Sequence, residues 1–110
     1  MSMILALALA AQPPQQQAFE AAMGGFTACM RATVQMGMTT RMDPAAFREG
    51  FARSCMAEET RFRAEAMRFA MSHGWTEARA RSEVETNVAN SRQAFAADQE
   101  SYVRTGRVPR

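Results

Sequence analysis

At 110 residues and a net charge of +2, the chain is sized for one domain with one modest core. Nearly half the residues are apolar, which excludes compositional disorder. The thirteen basic residues are all arginine and are interleaved with eleven acids, so the one-sided basic face that nucleic-acid binding needs is missing.

Alanine supplies a fifth of the chain, beside many Glu, Arg, Gln and Met, all good helix formers. Val and Ile are scarce, so strands would be hard to build. The expected class is all-α.

Met3 to Ala11 is an unbroken apolar run of nine residues. It is too short to span a bilayer, which takes about 20 residues as a helix, but it fits the apolar region of a secretory leader. Ala8 and Ala10 place small residues at −3 and −1, so residues 1–11 are expected to be a signal peptide cut after Ala10 or Ala11. The rival reading is an apolar tail on a cytosolic protein, since no Lys or Arg precedes the run. Residues 12–18, rich in Gln and Pro, read as a polar linker before a helical domain at 19–106, with 107–110 as a tail.

Three helices are predicted. In the first, from about Gln15 to Met36, Phe19, Met23, Phe26, Met30 and Val34 recur at helical steps. Gly24-Gly25 marks either a weak point or a close helix contact. The pattern breaks at Gly37. Asp43-Pro44 then supplies an N-cap and a first-turn proline for a second helix reaching Ser72. Its apolar stripe is Phe47, Phe51, Cys55, Phe62, Ala66 and Phe69, and Glu49–Arg53, Glu59–Arg63 and Arg61–Glu65 pair on its outer face.

His73-Gly74 ends that helix, with Gly favouring a left-handed backbone. Thr76 is an N-cap for the third helix, Glu77 to Thr105, and Trp75 is placed to staple back on Ala80. The third stripe (Ala80, Val84, Val88, Phe95, Tyr102) is thin. That helix either docks loosely or completes its burial in a dimer. Glu77–Arg81, Arg79–Glu83 and Arg81–Glu85 decorate its outside, and Gly106 and Pro109 end it. Short connections make neighbours antiparallel, so the expected architecture is a three-helix up-down-up bundle.

Cys29 and Cys55 fall on adjacent helices at heights differing by about one turn. In an oxidising compartment such a pair is bridged, stabilising the fold by about 3–4 kcal/mol. The alternative is two buried thiols. The pair has no Cys-x-x-Cys spacing, the usual mark of redox activity.

Eight methionines follow the leader. Met36, Met38 and Met42 gather around one turn, a soft donor set suited to Cu(I); the rival reading is gap-filling core. His73, the single histidine, has no carboxylate near it in sequence and is read as a helix-end cap. Glu58-Glu59 are expected to meet an arginine across the bundle, such as Arg31 or Arg92. Arg104, Arg107 and Arg110 form a basic end.

The leader ending Ala-Ala-Gln, a Cys in the first helix, Cys55 followed by Glu58-Glu59, a Gly-Trp-Thr turn and the ending Tyr102 to Gly106 form a set. That set resembles small exported helical proteins of unknown function from alphaproteobacteria. The resemblance covers most of the chain after the leader and implies no activity. The Leu-Thr-x-x-Gln motif of small helical envelope-stress chaperones is missing.

Three functional classes follow. The preferred one is a non-enzymatic periplasmic or secreted protein that binds a protein partner or acts as a small chaperone, with no cofactor. The second is a Met-rich Cu(I) binder. An enzyme is third, because no nucleophile–base pair, metal triad or phosphate loop is visible. An apolar concavity would favour the first, converging sulfurs the second, and a pocket holding His73 with a carboxylate the third.

Overall fold

The structure is a computed structural model, described here for residues 13–109. The expected signal peptide at 1–11 and Arg110 lie outside the described residues.

Helix α1 spans Pro14–Thr39, α2 Pro44–Phe51, α3 Met56–Ser72 and α4 Glu77–Thr105, with no strand among the described residues. The all-α expectation holds, but four helices stand where three were expected. The predicted second helix is two, broken at Ala52–Cys55. A step of four through Phe47, Phe51 and Cys55 looks continuous in sequence. The backbone of Cys55 is left-handed (φ 58°), however, and an α-helix cannot pass through that conformation.

Two further boundaries differ. Most of the expected linker is helical, since Pro14 sits at the first helical position, where its missing N–H costs nothing. Gly24 and Gly25 do not interrupt α1, and a Cβ on either would meet open space. The glycine that matters is Gly37, which lies inside the helix rather than ending it. A Cβ there would come within 2.6 Å of two ring carbons of Phe47, so its small size lets α2 fold tightly against α1.

α1 ends in a Schellman arrangement: Met42 N–H donates to the Gly37 carbonyl and Arg41 N–H to that of Met38, each at 3.0 Å. The left-handed position is filled by Arg41 (φ 50°) instead of glycine. Arg41 also donates through Nη2 to the Val103 carbonyl at 3.2 Å, which ties this turn to the end of α4. The Asp43 side chain accepts from Ala46 N–H at 3.1 Å, the cap expected from Asp-Pro. At the next turn Gly74 takes φ 88°, and Thr76 accepts from Arg79 N–H at 3.2 Å, again as expected.

α1, α3 and α4 pack on one another, and α2 lies on α4. The core comprises Phe26, Met30 and Val34 from α1, Phe47 and Phe51 from α2, Phe62 and Ala66 from α3, and Val84, Val88 and Ala96 from α4. Phe19 joins it by stacking on Phe69, with ring centroids 4.8 Å apart. α4 departs from its predicted stripe: Ala96 and Gln99 are buried, while Phe95 and Tyr102 are half-buried. Gln99, fully buried, donates through Nε2 to the carbonyls of Met42 (2.8 Å) and Gly37 (3.3 Å). Among the described residues, no helix is long and apolar enough to cross a membrane.

Candidate functional site

Cys29 and Cys55 form a disulfide with Cα atoms 5.9 Å apart, tying the middle of α1 to the first residue before α3. Closing 26 residues of chain stabilises the fold by about 3–4 kcal/mol in the chain-entropy picture. The Thr33 hydroxyl lies 3.7 Å from Cys55 Sγ. Cys29, Cys55 and Glu58 place donor atoms within 4.8 Å of one another, but joined sulfurs present no thiolate to a metal.

The Glu58-Glu59 pair separates by role. Glu59 is buried and its Oε1 accepts from Arg92 Nε at 2.6 Å, while Oε2 accepts from Arg63 Nε at 3.1 Å. Burial alone would raise the pKa of this carboxyl. The hydrogen bonds and charges of Arg92 and Arg63 outweigh it and hold the pKa below the ordinary 4.5. Arg92, not Arg31, is therefore the partner across the bundle.

Arg92 does more. Its Nη1 donates to the Phe51 carbonyl (2.8 Å) and its Nη2 to that of Ser54 (2.7 Å), capping α2 and the bend before Cys55. The guanidinium also sits 5.3 Å from the ring centres of both Phe26 and Phe51. Sequence reasoning missed this triple use, because backbone carbonyls acquire unpaired acceptors only where a helix has ended.

Three expected surface pairs are replaced by competing side-chain partners. Arg63 reaches across to Glu85, so Glu85 does not serve Arg81. Glu65 accepts from Arg68, one turn on, rather than from Arg61. Arg79 lies over the Trp75 ring at 4.0 Å instead of pairing with Glu83. Glu49–Arg53, Glu59–Arg63 and Glu77–Arg81 form as expected.

The methionines near the first turn divide. Met36 and Met42 line a groove of about 380 Å³ with Ala32, Thr33, Phe47 and Phe51. Met38 lies beside Val34, Phe95 and Val108 in a different groove. Residues two apart on a helix point about 200° apart, so Met36 and Met38 could not share a side. Met23, Met36, Met42, Met56 and Met71 are exposed, and Met30 is core.

A second groove, of about 350 Å³, opens where α3 turns into α4. Its apolar floor comes from Phe19, Ala66, Phe69, Ala80 and Val84, with Trp75 and Ala70 beside them. His73, Glu83 and Asn87 complete the lining. The His73 ring packs 4.4 Å from Phe69, and its Nδ1 lies 3.0 Å from the Phe69 carbonyl oxygen. A carbonyl only accepts, so Nδ1 carries the proton and Nε2 of a neutral ring remains an acceptor. An imidazole and a carboxylate do therefore line one groove, though no hydrogen bond joins His73 to Glu83 among the described residues.

These features define a disulfide-tied all-helical protein with apolar grooves at two of its turns. No family model, curated protein or solved structure matches this chain.

Proposed function

We propose that the chain is a small, non-enzymatic, exported protein of the bacterial envelope that holds apolar segments of a protein partner, in the manner of a small chaperone. The observation that carries this reading is the character of the exposed apolar side chains. Of the six large ones among the described residues, five are methionine and the sixth is Val108. Flexible, polarisable thioethers suit surfaces that accommodate varied apolar partners. Met36 and Met42 border the groove floored by Phe47 and Phe51, which is the proposed seat. The disulfide is compatible with an oxidising compartment, in keeping with export.

The test has two parts. Fractionation of the native cell would find the protein outside the cytosol with no maleimide-reactive thiol. The purified protein would slow aggregation of a denatured client, and Met36→Glu with Met42→Glu would abolish the effect while the melting temperature held. An intracellular, reduced protein, or unchanged protection by the double variant, would end this reading.

Cu(I) binding is the alternative. It draws on Met36 and Met42, which share a groove, but needs a third donor other than Met38. Competition against a chromogenic Cu(I) chelator at micromolar protein separates the two readings.

A further inference from the structure

The groove at the α3–α4 turn is separate from the Met36–Met42 groove, and its chemistry differs. Its volume of about 350 Å³ falls in the range of about 300–1,000 Å³ typical of small-molecule sites. Its floor is aromatic and aliphatic. Two of its polar groups are acceptors: the Glu83 carboxylate, and Nε2 of a neutral His73 ring whose Nδ1 proton is directed at the Phe69 carbonyl. The amide of Asn87 adds an oxygen that can accept as well.

Glu83 has no ion-pair partner among the described residues, while its neighbours Glu77 and Glu85 are each held by an arginine. The arginine expected to neutralise it, Arg79, is drawn instead onto the face of Trp75. An apolar cleft with an unneutralised carboxylate and a ring acceptor, whose nearest arginine, Arg79, is engaged on the Trp75 ring outside the lining, is complementary to a positively charged donor on an apolar body. We propose that this groove binds a small organic cation, an ammonium group carried on an aryl or alkyl body. The body packs against the apolar lining of the groove, and the ammonium meets Glu83 and His73 Nε2. The assignment depends neither on the compartment nor on partner binding at the other groove.

Trp75 is the single tryptophan and lines the site, so its emission reports occupancy directly. The full chain, disulfide intact, is titrated with 4-phenylbutylammonium chloride, with 4-phenylbutanol as the neutral match and 4-phenylbutyrate as the anionic one. The expected result is a saturable change in Trp75 emission, with the ammonium compound binding about fivefold tighter than the alcohol and the carboxylate weakest. Glu83 is exposed and unpaired, so Glu83→Gln is expected to fold normally, to lower ammonium affinity to that of the alcohol and to leave alcohol binding unchanged. Equal affinity for ammonium and alcohol, a preference that survives Glu83→Gln, or an emission that stays constant to millimolar ligand would each overturn the assignment.

Discussion

Arg92 on α4 donates to the buried carboxylate of Glu59 on α3 at 2.6 Å, and the same guanidinium caps the carbonyls that end α2. One side chain thus joins three helices at the point where the chain bends toward the disulfide. Removing one partner of a buried pair costs more than the pair itself is worth, because the other charge is left without compensation. Arg92→Ala is expected to lower unfolding free energy by about 3 kcal/mol. Arg63 remains to offset part of the Glu59 charge. Urea denaturation measures the loss. A change under 1 kcal/mol would show that the capping contributes little.

The lowered pKa of Glu59 makes stability depend on pH in one direction. The unfolded chain binds this proton near 4.5 and the folded chain only at lower pH. The contribution is therefore complete above pH 4.5 and is lost as pH falls toward the folded value. Melting temperatures from pH 7 to pH 2 should separate wild type from Glu59→Gln at neutral pH and converge in acid. A gap that stays constant with pH would assign the effect to shape, not charge.

Glycine substitutions in α1 should have opposite signs. Gly37→Ala sets a methyl group 2.6 Å from the Phe47 ring, an overpacking of the kind that costs about 1–3 kcal/mol. Gly24→Ala and Gly25→Ala meet open space and should each stabilise by about 0.5–1 kcal/mol through helix propensity. Thermal melts of the three variants check this, and destabilisation by Gly24→Ala would reveal a contact made there in solution.

The left-handed backbone of Cys55 gives a test independent of the sulfur bond. In the Cys29→Ser background, Cys55→Gly should be more stable than Cys55→Ser, by about 1 kcal/mol, because glycine adopts positive φ without penalty. Both should fall about 3–4 kcal/mol below the oxidised protein. Equal stability of the two would mean that the bend relaxes once the bridge is gone.

Helix caps and punctuation were readable from sequence because they are local. Asp43-Pro44, Gly74 and Thr76 each act through backbone groups a few residues away. The cysteine pairing was also within reach, although the sequence pattern sets Cys55 on a continuous helix and the structure sets it in the bend between two. The division of 43–72 into two helices was not. The stripe from Phe47 to Cys55 keeps its period while the chain bends, and the forces holding the bend come from Cys29 and Arg92, 26 and 37 residues from Cys55. Arg79 was assigned to Glu83 by spacing, but the aromatic face of Trp75 competes for it, and spacing rules weigh no such rival. The groove containing Glu83 and His73 was invisible for the same reason: its walls come from α1, α3 and α4 together.

The sulfur–sulfur link makes a closed circuit of residues 29–55, and all of α2 lies within that circuit. A protease that severs any peptide bond between the two cysteines therefore yields two fragments that still travel as one molecule, heavier by a single water. Only added reductant would release them, so a nicked sample would pass unnoticed on a non-reducing gel.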